Sequence, residues 1–177
     1  INKNKNYTYN NYIKYMERKV FMNRFYRNYN NNYYNTRYYN EQKSNYIKDY
    51  GNMPLAIDIK EIARQNESFR STLWTGEHFQ ITLMNILPNE SIGLEIHPDT
   101  DQFIQIIQGT GMVKMGDAQN NLDFSKRVGE DASIIIPAGK WHNLINIGNE
   151  PIKLFSIYAP PQHPKGTVHL TKADAEH

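Results

Sequence analysis

Glu95 and His97 stand one residue apart. On an extended strand, positions i and i+2 point to the same face, so this spacing presents a carboxylate and an imidazole together. Gln102 opens the next apolar stretch, beyond the turn Pro98-Asp99-Thr100-Asp101, and His142 follows a second turn, Pro137-Ala138-Gly139-Lys140-Trp141. Two imidazoles, one carboxylate and one amide oxygen from neighbouring strands can enclose a divalent metal ion. Two His and one carboxylate are the ligand type of open-coordination Fe(II) oxygenases, so Fe(II) is the favoured ion; Mn, Zn and Ni suit the same mixed N/O donors. One carboxylate against a divalent ion leaves a net charge of about +1. Such a centre favours a small, anionic, oxygen-rich molecule: an enediolate, a β-diketonate or a hydroxy acid.

Other side chains are weaker candidates. Tyr158 is a candidate catalytic residue, able to supply a phenolic proton. Asp99 and Asp101 read as a solvated turn beside the ligands, and Trp141 and Phe103 as core packing. His163 and His169, in the Pro-rich C-terminal segment, read as surface side chains rather than ligands, with covering the barrel as the alternative. No Gly-rich phosphate loop, nucleophile elbow or dinucleotide fingerprint is present. With Cys at 0 in 177 residues, disulfides, thiolate metal sites and cysteine nucleophiles are excluded.

The elements that must hold these residues are strands. His78–Leu87 alternates, with Phe79, Ile81, Leu83 and Leu87 on one face; Ser91–His97, Gln102–Gln108, Gly111–Met115, Ala132–Ile136, Asn143–Ile147 and Ile152–Tyr158 follow, separated by Gly, Pro and Asn turns. This pattern predicts an all-β fold, an antiparallel sandwich or barrel. Within residues 53–177, helical spacing is confined to Ile59–Gln65 and a stretch after Thr171. Ile134-Ile135-Ile136 is apolar on both strand faces, which predicts a homodimer that buries the outer one.

Composition divides the chain at residue 52. Residues 1–52 hold 14 Asn and 12 of the 13 Tyr, with a net charge of +7; residues 53–177 carry −5 and all 8 Pro. The first segment has too little aliphatic surface to offset ordering entropy and reads as a basic, low-complexity, disordered tail. An amphipathic helix within Tyr12–Tyr26 is a second reading. Nucleic-acid binding through scattered Lys, Arg and Tyr is disfavoured, because the basic residues are not clustered and no RNA-binding motif accompanies them. No run of 18 apolar residues and no charged segment leading into an apolar one is found. The expectation is therefore a cytoplasmic protein without a membrane partner.

Two stretches resemble the cupin superfamily. The run Pro137-Ala138-Gly139-Lys140-Trp141-His142-Asn143-Leu144-Ile145-Asn146 matches the second cupin motif, P-x-G-x2-H-x3-N, in full, with Gly129 eight residues before the proline. The first motif, H-x-H-x4-E-x6-G, is represented by Glu95, His97, Gln102 and Gly109, so the carboxylate stands at the first position and an amide at the third. The segment from Asp49-Tyr50-Gly51 to Lys172-Ala173-Asp174-Ala175 is also similar to a subgroup of small cupins carrying His97-Pro98-Asp99-x-Asp101-Gln102-Phe103 and Tyr158-Ala159-Pro160-Pro161-x-His163-Pro164, some labelled mannose-6-phosphate isomerase-like. The resemblance implies a single jelly-roll barrel with a C-terminal extension from about residue 160, holding one divalent metal ion on Glu95, His97, Gln102 and His142. It further implies either a metal-dependent dioxygenase or isomerase of a small-molecule ligand, or a non-catalytic binding or coat-like protein, which the Tyr-rich tail would suit.

Overall fold

The computed structural model describes residues 47–176. The readings made for residues 1–46 lie outside them. The described residues form helix α1 (Ile59–Gln65) and strands β1 (Arg70–Thr75), β2 (Gln80–Ile86), β3 (Asp101–Gln108), β4 (Gly111–Gly116), β5 (Phe124–Val128), β6 (Ser133–Ile136), β7 (Trp141–Asn146), β8 (Ile152–Ala159) and β9 (Val168–His169). A 3-10 turn, Ala173–Ala175, closes the chain. All strand pairings are antiparallel, in one sheet ordered β6-β3-β8-β2-β1-β9 and another ordered β5-β4-β7. The segment before β3 extends the smaller sheet through isolated bridges, Ser91 to Ile145 and Glu95 to His142.

Side-chain alternation sorts the large sheet into two faces. Met84, Ile86, Ile104, Ile106, Ile134, Ile136, Ile152 and Leu154 point inward and meet Val113, Val128 and Leu144 of the small sheet. Toward the other end of the barrel the inward row turns polar: Thr82 pairs with Ser156, and Gln80 and Gln102 flank Tyr158 on the two sides of β8. The interior is thus apolar at one end and hydrogen-bonding at the other.

The outer face of the same sheet carries Leu73, Leu83 and Ile107, covered by Ala63, Ile59 and Ile62 of α1 and by Ile47, Tyr50 and Ile57. A helix of seven residues does not hold its shape alone; this one is capped by Asp58, which accepts from the Glu61 N–H, and is held by burial of Ala63. The face marked by Ile81 and Leu83 is therefore the helix-covered side. Its expected end members, Phe79 and Leu87, are exposed. On β6, Ile134 and Ile136 are buried while Ile135 is 62% exposed.

Strands β1, β5 and β9 are not among the stretches expected from sequence, and residues 91–97, expected as a regular strand, form only isolated bridges. Arg70-Ser71-Thr72 and Ser125-Lys126-Arg127 lack the apolar alternation that marks a strand, and they form through backbone pairing with β2 and β4.

Residues 160–169 run back over the polar end as a strap. The Gln80 amide grips the His163 backbone at both ends: Nε2 donates to the His163 carbonyl at 2.8 Å, and Oε1 accepts from its N–H at 3.0 Å. Gln80 Nε2 also donates to Thr75 Oγ1, which donates to Asp49 Oδ2 at 2.6 Å. Asp49 accepts further bonds from the Gly51 and Gly166 N–H groups at 2.8 and 3.0 Å. Burial opposes the charge on Asp49, yet these bonds hold its carboxyl below the usual carboxylate range. Replacing Asp49 by Ala should destabilise the protein by roughly 2–3 kcal/mol, the scale of charge-assisted hydrogen bonds lost at a partly buried site. Urea unfolding measures this; an unchanged midpoint would show that the strap does not depend on Asp49.

Candidate metal centre

Backbone pairing brings the two motifs together. Glu95 and His142 exchange both main-chain bonds, at 3.0 and 2.9 Å, which places their side chains on one face. The turn before β7 is fastened twice: the Gly139 N–H donates to the His97 carbonyl, and the Ala138 N–H to Asp101 Oδ1, both at 2.8 Å. Gly139 adopts φ +77°, a left-handed conformation that glycine takes without strain. Asp101, expected as a solvated turn residue, is exposed and also anchors this turn. Asp99 is exposed.

The result is a cluster of one ligand atom each from Glu95, His97 and His142, all within 4.8 Å of one another. Glu95 Oε1 lies 3.5 Å from His97 Nε2 and 3.4 Å from His142 Nε2. These three atoms are buried and have no hydrogen-bond partner. The spacing is longer than the ~2.7–2.9 Å of a charge-assisted N–H···O bond. It agrees with donors set about a tetrahedral angle apart on an ion ~2.1 Å away, which are separated by ~3.4 Å.

Protonation supports the same reading. His142 Nδ1 is 2.8 Å from the Lys140 carbonyl, which can only accept, so Nδ1 carries the proton. In the neutral ring Nε2 then presents its lone pair to the Glu95 carboxylate. Two electron-rich atoms so placed need a cation between them, either a proton or a metal ion. Where that cation is a proton, burial works against the Glu95 charge, but hydrogen bonds from His142 and His97, then the Arg70 charge, outweigh it and hold the carboxyl at about 2. Arg70 Nη2 stands 3.8 Å from Glu95 Oε2, an attraction on the order of 4 kcal/mol at an effective dielectric of ~20.

Gln102 is buried on the inward face of β3, beside Tyr158. Its Nε2 donates to Ser156 Oγ at 3.0 Å, and Ser156 Oγ donates to the Phe103 carbonyl at 3.1 Å. This donor order sets the amide orientation and leaves Oε1 buried without a partner. Tyr158 is fully buried, edge-on to His97 at 5.5 Å between ring centroids and to His163 at 5.1 Å. Burial and the Glu95 charge push its phenol up to about 12, so it keeps its proton at neutral pH. Trp141 and Phe103 are half-buried, and Phe103 packs near Phe155 on the outer side of the sheet. His169, also half-buried, lies opposite Arg70 in the β1–β9 pair.

Two residues gain weight from the structure. Arg70 lies in the strand the sequence reading left out, and nothing in its local pattern marks it as buried. His163 is half-buried, with Nε2 shielded and unpartnered; the strap, rather than strand alternation, brings it to Tyr158. For His163 the signal in the sequence is the run Tyr158–Pro164, whose prolines follow the end of β8 at Ala159; Arg70 has none.

Residues 82–158 match the family model described as a cupin domain. The uncharacterized protein YrkC of Bacillus subtilis (strain 168) is 56% identical over 135 residues, 76% of this chain and 73% of its own. The uncharacterized protein L612 of Acanthamoeba polyphaga mimivirus is 37% identical over 122 residues, 68% of this chain and 74% of its own. The crystal structure of BH2720 from Bacillus halodurans, 54% identical, superposes with a TM-score of 0.73, covering 73% of this chain and 98% of that one. A single jelly-roll barrel with a candidate His/Glu metal centre at its polar end is the cupin arrangement. The chain belongs to the cupin family. No helix among the described residues is long and apolar enough to cross a membrane.

His163 supplies a pH test. Burial, then the Arg70 charge, lower its imidazole to about 4; Glu95 acts the other way, and His97 and His169 lower it further. The unfolded chain, with an ordinary His near 6.5, therefore binds more protons than the folded one as pH falls from about 6.5 toward 4. Stability contributed by the seated strap is present above about 6.5 and is lost through that window. The imidazole proton shifts of His163, followed by NMR, should titrate near 4; a midpoint at 6 or above would show that the ring is not seated against Tyr158.

Proposed function

We propose that the chain is a metal-dependent enzyme, of the dioxygenase or isomerase kind, that acts on a small oxygen-rich anion inside the barrel. The observation that supports this reading is the convergence of Glu95 Oε1, His97 Nε2 and His142 Nε2, buried and unpartnered, at ligand spacing. Glu95, His97 and His142 would hold the divalent ion, with Gln102 Oε1 as a weaker neutral fourth donor; the ion would supply Lewis acidity or, as Fe(II), redox chemistry.

The residues around it have separable tasks. The Lys140 carbonyl fixes the His142 ring, and Ser156 fixes the Gln102 amide, so these donors are set before any ligand arrives. Tyr158, protonated and buried, donates a hydrogen bond to a ligand oxygen that gains negative charge. The strap, which seats His163 against Tyr158, limits water at the reacting atoms. With one carboxylate beside a divalent ion and the Arg70 cation, the site is electropositive and selects anions over neutral sugars.

The full chain, loaded separately with Fe(II), Mn, Zn and Ni, should retain about one ion per chain. His97→Ala or His142→Ala should abolish retention, and Gln102→Ala should weaken it by about tenfold or less. Elemental analysis after gel filtration decides the point; a wild-type chain that retains none of the four ions would remove the metal reading.

A further inference from the structure

The Arg70 guanidinium is the group in the barrel that a metal centre leaves unexplained. Its side chain is 6% exposed, and its charge partner, Glu95 Oε2 at 3.8 Å, lies beyond hydrogen-bond reach. Nε is buried with no partner at all. The Phe69 ring, 5.7 Å from Cζ, offers only its face. A guanidinium has five N–H donors in a rigid fork, and a buried one is ordinarily paired and hydrogen-bonded.

Its surroundings share the deficit. Thr82 Oγ1, Tyr158 OH and His163 Nε2 are also buried without partners. Thr82 lies opposite Thr72 on β1 and opposite Ser156 on β8, and Arg70, two residues before Thr72, shares its inward face. Arg70 is also felt electrostatically at both Tyr158 and His163. A cationic fork, two hydroxyls and the Glu95–His97–His142 cluster thus border one interior; His169, cross-strand from Arg70, has its Nδ1 buried and unpartnered too, and no acceptor among the described residues is bonded to Arg70 Nε.

We propose that Arg70 docks the carboxylate of the substrate, a small acid bearing an oxygen on the adjacent carbon: a 2-hydroxy or 2-oxo acid. The carboxylate takes the fork, which matches it in plane and prong spacing, and the neighbouring oxygen faces the metal centre. Phosphate is disfavoured because its further oxygens need more donors, and no lysine stands among the unpartnered buried groups. The half of the inference that concerns the neighbouring oxygen rests on the metal reading above. Docking on Arg70 does not.

Calorimetric titration of the full chain, Zn-loaded and metal-free, with glycolate, 1,2-ethanediol and inorganic phosphate tests the proposal in wild type, Arg70→Lys and Arg70→Gln. Glycolate should bind the loaded wild type at least tenfold more tightly than Arg70→Gln and several-fold more tightly than Arg70→Lys, whose point charge lacks the fork. Metal content should be equal in all three. In the metal-free chain the order should persist at lower affinity, so a chain that retains no metal would remove the metal reading while this titration still reports on Arg70. If Arg70→Gln does not fold, the Lys variant decides. Equal glycolate affinity in wild type and the folded variants would overturn the proposal, as would absence of glycolate binding to wild type or tighter binding of phosphate than of glycolate. Loss of metal in the Arg70 variants would overturn it too, by showing that the residue serves Glu95 instead.

Discussion

Everything at the polar end of this barrel follows from one carboxylate facing two imidazole nitrogens. Glu95 stays ionised against its own burial because His97, His142 and Arg70 surround it. The Lys140 carbonyl holds a proton on His142 Nδ1, so in the neutral ring the atom that faces Glu95 is a lone pair. Oxygen and nitrogen lone pairs at 3.4 Å, shut away from water, repel unless a cation lies between them. A proton answers that requirement, and so does a divalent metal ion, whose ligand spacing the three atoms match.

The barrel supports this arrangement by separating its two kinds of interior. Ile104, Ile106, Leu144, Ile152 and Leu154 are packed with essentially no exposure at one end. Each such side chain contributes roughly 1.5–3 kcal/mol of burial, and the cooperative closure they drive carries the cost of the unpaired polar atoms at the other end. The strap adds a second layer of control. Its hydrogen bonds run from Asp49 through Thr75 and Gln80 to His163, so the segment that covers Tyr158 is tied to the residues that lead into the barrel. Asp49, Tyr50 and Ile47 lie on the Asn/Tyr-rich side of the composition break but pack with the sheet. Composition is a property of windows, whereas attachment depends on single side chains such as Asp49.

Legibility in the sequence followed the range of the interactions. Gln102–Gln108 and Ile152–Tyr158 were readable because alternation is a local signal, and the helix Ile59–Gln65 was readable from its spacing. Glu95 and His97 were readable as a pair from their i, i+2 spacing, and His142 was tied to them by the match of Pro137–Asn146 to the second cupin motif. Arg70 was not. Its strand alternates Arg, Ser and Thr, and its burial is imposed by β2 and β9 on either side. His163 escaped for a related reason: a histidine between prolines reads as surface unless the Gln80 amide that grips it, 83 residues away in sequence, is known. Long-range hydrogen bonds leave no periodic trace.

The exchange of donor types within the first cupin motif gains a physical sense from these contacts. In the pattern this chain resembles, the carboxylate comes from β3; here β3 supplies Gln102, and the carboxylate moves to Glu95 on the bridge with β7. Ser156 Oγ already donates to the Phe103 carbonyl, so it presents an acceptor to position 102. An amide N–H satisfies that acceptor, and a carboxylate would oppose it. At position 95 the negative charge instead lies beside Arg70, which has no other charge partner among the described residues. The exchange keeps one carboxylate in the donor set while moving it from the Tyr158 side of the barrel to the Arg70 side. Glu95 then offsets part of the Arg70 charge without occupying its hydrogen-bond donors, because 3.8 Å is too long for a bond. A cation kept in place by a carboxylate it does not bond retains its fork for another acceptor, which is the role the proposed carboxylate docking gives it.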